Sequence, residues 1–498
     1  MQTNDLVLAV DCGTTSLKAL LIDQHRRVLA EANESYPLTQ TDAGGAEQAP
    51  EDLWAAVARA SRAVVAAGAV DPSEVTALVP VASWKGIIPL SRREGALCPA
   101  MLWLDARAQS QAARLNEEAG ELVGTGQEYW PRLMWLKENE PDVWRRADHV
   151  VGLNTYLKWR ATGVVCTEPS DDFVHSPDEA TSARYAAILS AAGLDADLEK
   201  FAPARPSTAE VGFLTKESAA DLGLTTATRV FNGFGDLPAI TVGTGRAESG
   251  DTHLYFGTSS WFVEIVESRE GSPAPLHFTL GPGREGATYA LQSGCLAYDW
   301  SIETLYPAEK RELGAQVHDL VSEQVAQIPA GSGNLLATHW LNGELPPLSK
   351  SAKGLFLNLT PQHDRRHMVR AMMESICFAH RSSVEQFVSR TGDELPVVLA
   401  AGGGALNAVW MQILADVLQR TVEVPEHPGT LGAWGAYCSA LVGLGHVENT
   451  SEIPEQRIIG RRFDPNPGNA ATYDRLYAAH QQLHPALAGV FDQLNGAS

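Results

Sequence analysis

Four short stretches carry residues whose types could do chemistry. The first, VDCGTTSLKALLID at 10–23, sets an acid, a glycine and three hydroxyls between two apolar runs. A turn of Gly13, Thr14 and Thr15 between paired strands gathers backbone N–H groups and hydroxyls at one spot, which suits phosphate oxygens. Asp11, ending the first strand, suits Mg2+, since hard cations take oxygen ligands. The plain alternative is a hairpin whose Asp and Thr satisfy their own backbone. The second stretch, FGTSSW at 256–261, repeats the pattern without the acid, through Gly257 and Thr258. Two such turns in equivalent places of two similar halves would grip one polyphosphate from both sides.

The third stretch, GFGDLPAITVGTG at 233–245, places Asp236 after a strand and at the opening of a helix. A carboxylate there could accept the proton of an attacking hydroxyl, or it could simply cap the helix. In the fourth, LAAGGGALNAVWMQILADVL at 399–418, Gly402, Gly403 and Gly404 end a buried strand, so backbone can approach a ligand closely. A dinucleotide-binding turn also begins Gly-x-Gly after a strand and wants an acid about 20 residues on, near Glu423 here. Asn407 stands where its third glycine belongs.

These residues need elements to position them. LVLAV (6–10), LKALLID (17–23) and 27–37 read as three strands of an antiparallel meander. A helix is expected over 50–67, with acids in its first turn, then a buried strand at 75–83 and a mostly helical stretch at 107–160. A second strand–turn–strand at 253–266 leads to a helix at 364–390. A strand (395–404), a helix (405–420), a strand (421–425) and a helix (430–445) follow. Two halves of this kind imply two related α/β domains, divided as 1–247 and 248–498.

Bulk properties narrow the class. At 498 residues, 44% hydrophobic and 20% charged, the chain should be globular and exceed one core. A net charge of −22 argues against a nucleic acid or an anionic membrane as partner, though not against a nucleotide. The six cysteines show no CxxC and no short pairing, so a reducing, cytoplasmic setting is expected. The N-terminus MQTNDLVLAVD lacks the features of a signal peptide, and no apolar run reaches the roughly 18 residues of a membrane span.

In order and spacing, DCGTTSLKALLID, AEQAPEDLW (46–54), AMLWLDARA (100–108), PRLMWLKENEPDVW (131–144), GFGDLPAITVGTG, FGTSS and GGGALNAVWMQILADVL resemble the FGGY carbohydrate kinases. That resemblance implies two related actin/hexokinase-like (ribonuclease H-like) ATPase domains with a cleft between them, and by analogy a homodimer. It implies ATP and Mg2+, with Asp11 placing the metal and Gly13, Thr14 and Thr15 as the first phosphate loop. Gly257 and Thr258 match the second phosphate loop, Gly402, Gly403 and Asn407 the adenosine motif, and Asp236 the catalytic base.

The substrate side departs from the family's patterns. Ser83-Trp84-Lys85-Gly86 stands where xylulose kinases typically have Gln-Met-His-Gly and glycerol kinases Gln-Arg-Glu. Trp103, Asp105 and Arg107 keep the Trp-x-Asp-x-Arg pattern of pentulose kinases, and YWPRLMW (129–135) looks more like the xylulose branch. A ketopentose is therefore the expected substrate, contacted by Trp84, Lys85, Trp103, Asp105 and Asp236. Lys85 could read an anionic group or be a solvated lysine at a cleft rim; Trp84 could be a stacking wall or core. In NGELPPL (342–348), Leu345 replaces an arginine common in relatives, which would loosen a structural contact. A polyol or sugar-acid kinase, a non-catalytic actin-like nucleotide binder and a dehydrogenase remain as alternatives.

Overall fold

The run LVLAV can bury both faces only inside a sheet, and there it lies. The computed structural model describes residues 5–496 apart from positions 42, 177, 282, 345–347, 349–350 and 454–458. Along the chain come β1 (Leu6–Cys12), β2 (Ser16–Asp23), β3 (Val28–Ser35), α1 (Pro50–Gly68) and β4 (Val75–Ala82). The helical middle contributes α2 (Tyr129–Asn139) and α3 (Leu153–Thr162), followed by β5 (Glu210–Phe213), β6 (Arg229–Phe231), β7 (Phe234–Gly235) and α4 (Asp236–Gly243). Then come β8 (Thr252–Phe256), β9 (Ser260–Val266), β10 (Arg284–Leu291), α5 (Cys295–Leu305) and the long α6 (Arg365–Thr391). The remaining elements used below are β11 (Val397–Ala401), α7 (Ala408–Leu418), β12 (Thr421–Pro425), α8 (Leu431–Gly443) and β13 (Ile459–Phe463).

The first sheet runs β5-β6-β4-β1-β2-β3, with β7 also pairing β4. The meander expected from sequence is antiparallel, Asp11 facing Lys18 across β1 and β2. β1 and β7 both run parallel to β4, and the register sets Cys12, Ala82 and Gly235 level with one another. Asp11, Ser83 and Asp236 thus emerge together at the carboxyl ends of parallel strands, where open α/β sheets place ligands. Leu53, Trp54, Val57 and Val64 of α1 join Leu8, Val10, Leu21 and Leu78 in the core beneath.

The second half repeats the logic. β8 and β9 form an antiparallel hairpin, β8 runs parallel to β11, and the path continues through β12 to β13. Its core gathers Phe256, Phe262, Met372, Trp410 and Val422 around α6 and α7. No described helix is long and apolar enough to cross a membrane.

A single cut at 247/248 does not describe the chain. The first compact unit comprises Met1–Gly245, Phe278–Pro282 and Thr430–Glu455, the second the rest. α8 therefore belongs with the first unit. Its glycines explain why: a Cβ on Gly435 would lie 2.6 Å from the carbonyl carbon of Ala239, so α8 and α4 pack backbone to backbone. Side chains at that crossing would hold the helices apart.

Candidate active site

Asp236 opens α4 as its first helical residue, with Gly235 at the cap position. Its Oδ1 accepts from the backbone N–H of Leu237, in the first turn, at 3.0 Å and of Trp84 at 3.4 Å. The carboxylate keeps part of its surface open but has lost most of its water. That loss, with the nearby Asp11 charge, pushes its pKa up to about 7 against the opposing pull of the two backbone donors. Burial also raises Asp11, which Lys18 partly offsets. A Cβ on Gly432, in the first turn of α8, would overlap the Asp11 carboxylate, so that glycine lets a helix N-terminus abut the acid.

Ionisation of Asp236 opposes folding. The unfolded carboxyl titrates near 3.8 and the folded one near 7, so the penalty is absent below about pH 4 and complete above pH 7. Asp236→Asn is expected to raise Tm by about 2 °C or more at pH 8 and to leave it within about 1 °C at pH 4. Calorimetric melts at both pH values check this; an equal change at both would assign the titration to another group.

The first polar turn is braced from several sides. Gly13 N–H donates to Ser16 O at 2.9 Å, Tyr36 Oη donates to Gly13 O at 2.5 Å, and Trp103 Nε1 donates to Thr14 Oγ1 at 3.2 Å. Thr15 is exposed, while Thr14 and Gly13 are half-buried. Trp103 thus reaches the phosphate-type turn. Asp105 is fully buried: its Oδ2 accepts from Ala46 N–H at 3.0 Å, and Arg107 Nε lies 2.9 Å from both carboxylate oxygens. Arg107 also pairs with Glu47 at 2.5 Å. The two-residue spacing in Trp-x-Asp-x-Arg therefore folds as an ion pair bracing the loop that carries Trp103.

Trp84 is buried, its ring centroid 5.9 Å from that of Phe173. Lys85 is not a solvated rim lysine: it is 9% exposed, and its Nζ lies 2.7 Å from Glu128 Oε2. The hydroxyl of Ser83, two residues before Lys85, is buried with no hydrogen-bond partner among the described residues.

In the second unit, Gly257 and Thr258 form the turn between β8 and β9 and receive the start of α5. Cys295 N–H donates to Gly257 O at 2.8 Å and Leu296 N–H to Thr258 O at 3.2 Å. The glycine-rich turn lies directly beside it. Gly402 takes φ +91°, and a Cβ there would stand 2.8 Å from the carbonyl carbon of Phe256, so only glycine fits. Gly403 is exposed, with nothing within 4 Å of where a Cβ would stand, which leaves room for a flat ligand. Asn407 caps α7 through Trp410 N–H at 3.1 Å, and its Nδ2 donates to Ser322 Oγ at 2.9 Å. Glu423 faces Arg462 at 3.4 Å. Leu345 lies outside the described residues; its neighbour Glu344 accepts from Gln292 N–H at 2.9 Å.

Several residues of the site escaped the sequence reading. Glu168 and Asp171 lie under the Trp84–Lys85 turn. Ser170 Oγ donates to Glu168 and accepts from Gly235 N–H at 3.2 Å, and Asp171 Oδ1 accepts from Lys85 N–H at 2.8 Å. Burial raises both carboxyls, and the charges of Glu168 and Asp236 raise Asp171 further. Arg132, fully buried, donates to Lys85 O at 2.7 Å.

Two family models match the chain: the FGGY family of carbohydrate kinases, N-terminal domain, over residues 6–243, and the C-terminal domain of that family over 254–444. Xylulose kinase of Bacillus subtilis (strain 168) is 29% identical over 496 residues, covering 96% of each chain. L-xylulose/3-keto-L-gulonate kinase of Escherichia coli (strain K12) is 26% identical over 493 residues, covering 97% of each. Among solved structures, gluconate kinase from Lactobacillus acidophilus matches with a TM-score of 0.83 at 22% identity, over 99% of this chain and 100% of its own, a likeness of fold.

Proposed function

Because the chain belongs to the FGGY family of carbohydrate kinases, and so phosphorylates a sugar hydroxyl, we propose that it acts on a ketopentose of the xylulose kind with Asp236 as base. The observation that carries this reading is the Asp236 carboxylate, at the carboxyl end of the sheet beside Asp11, with its pKa pushed up to about 7. A base with that pKa is about half ionised at pH 7, and its ionised form takes a proton readily. The hydrogen bonds from Trp84 and Leu237 fall on Oδ1 and hold the group in place, so Oδ2 receives the proton. The sugar oxygen attacks the γ-phosphorus of ATP, a new P–O bond forms, the β–γ bridging bond breaks, and ADP leaves. Phosphoryl transfer of this kind asks mainly for alignment and charge neutralisation.

The chain's own groups supply the alignment. Gly13, Thr14 and Thr15 offer backbone N–H groups and hydroxyls to phosphate oxygens, as do Gly257 and Thr258. Gly402, Gly403 and Asn407 take the adenosine. The donor set fits Mg2+: Asp11 presents a half-open carboxylate, and this ion needs only one or two carboxylates beside phosphate and water oxygens. When bound it neutralises charge on the phosphates. Trp84 and Trp103 wall the acceptor, and Asp105 fixes the loop behind Trp103.

The test is a screen of ADP release from ATP with ketopentoses, polyols, ketohexoses and sugar acids. A ketopentose is expected to give the highest kcat/KM. A polyol or sugar acid turned over tenfold better would replace the acceptor, and no stimulation by any of them over background hydrolysis would end this reading.

A further inference from the structure

Lys85 is a cation whose position is fixed before any ligand arrives. Its backbone takes φ +57°, the left-handed region that a long side chain seldom adopts. Two buried charged groups hold it there: Asp171 Oδ1 accepts its N–H at 2.8 Å, and Arg132 Nη2 donates to its carbonyl at 2.7 Å. The same guanidinium reaches the partner's backbone, because Arg132 Nε donates to Glu128 O at 3.3 Å and to Gln127 O at 3.0 Å. One buried arginine therefore spaces the two residues whose side chains meet as Lys85 Nζ–Glu128 Oε2 at 2.7 Å. The ammonium also stands 4.6 Å from the Trp84 ring centroid and 6.0 Å from that of Phe173. Trp84, the residue before Lys85, gives its N–H to Asp236 at 3.4 Å.

We propose that the Lys85–Glu128 pair sets the charge class of the acceptor, admitting an uncharged polyhydroxy chain and turning away sugar acids. The inference rests on the sugar-kinase reading of this site. A hydroxyl can accept from a remaining N–H of Lys85 and donate to a Glu128 oxygen without parting them. A carboxylate can only accept. To reach Lys85 it must displace Glu128 or share one ammonium with it, beside Asp171, whose carboxylate already accepts the Lys85 N–H. Specificity then comes from a repulsive element, Glu128, as much as from an attractive one. A bare lysine at this position would do the opposite and recruit anions.

The experiment uses the full chain as wild type, Glu128→Gln and Lys85→Met. Calorimetry measures binding of D-xylulose, D-ribulose, xylitol and ribitol against D-xylonate and D-ribonate, with ADP release followed on the same panel. Wild type should bind its best neutral ligand at least about tenfold more tightly than either acid. Glu128→Gln, which frees the cation, should narrow that ratio about tenfold by gaining affinity for the acids, and Lys85→Met should widen it. Opposite shifts are what a strap serving only to hold the turn would not give; such a strap would weaken both ligand classes together. An unchanged ratio in both variants, a wild-type preference for an acid, or no binding of either class would overturn the proposal. Selective binding that shifts as described, but without ADP release, would leave the charge selection standing and remove the kinase acceptor reading instead.

Discussion

Asp236→Asn is expected to lower kcat by about 10^3-fold while changing KM for ATP by less than about threefold, measured by coupled ADP release. The asparagine keeps an oxygen at Oδ1 for the N–H groups of Trp84 and Leu237, so the turn and the start of α4 stay in place. What it loses is an acceptor for the hydroxyl proton. The loss is bounded, because positioning and neutralisation of the phosphates do not depend on this residue and continue to lower the barrier. A fall of less than tenfold would take proton abstraction away from Asp236.

The second large effect is mechanical. Gly435→Ala should lower Tm by about 5 °C or more, and kcat with it, because overpacking a backbone crossing has no cheap relief. The added methyl would meet the carbonyl of Ala239, which is backbone and cannot rotate away. α4 must then shift, and Asp236 is its first residue. Gly489→Ala is the control: it lies in the helix Leu483–Asn495 with nothing within 4 Å of the new methyl, so Tm should hold or rise slightly. Equal melting of the two variants would show that the α4–α8 crossing tolerates side chains.

What the sequence made legible was local. Both strand–turn–strand units, the opening of α4 at Asp236 and the glycine-rich turn before α7 carry their signal within about a dozen residues, through apolar runs broken by Gly and hydroxyl residues. Boundaries moved by a few residues: the strand expected over 395–404 is Val397–Ala401, and the helix over 405–420 begins only at Ala408, after Asn407 caps it. The return of α8 to the first unit was not legible. GTLGAWGAYCSALVGLG reads as one more apolar helix, and nothing in its period says that Gly432 and Gly435 meet residues some 200 or more positions earlier. The partners of Lys85 were hidden for the same reason, since Glu128, Arg132 and Asp171 reach it from separate elements. Asp105, expected to contact the substrate, is instead fully buried and paired with Arg107, a local pairing of an Asp and an Arg two apart that the sequence reading passed over. Glu423, suggestive of a ribose acid by spacing, faces Arg462 at 3.4 Å, and Asn407, where the dinucleotide pattern has its third glycine, caps α7.

The claim on which the rest depends is that the carboxylate of Asp236, tuned by enclosure and by Asp11, takes the acceptor's proton. The pH dependence of kcat/KM for the sugar, at saturating ATP, tests it most directly. The profile should rise to a plateau through an acid limb with its midpoint near 7, and the residual activity of Asp236→Asn should lack that limb. A wild-type profile flat from about pH 5 to 8, or the same limb persisting in the variant, would contradict it.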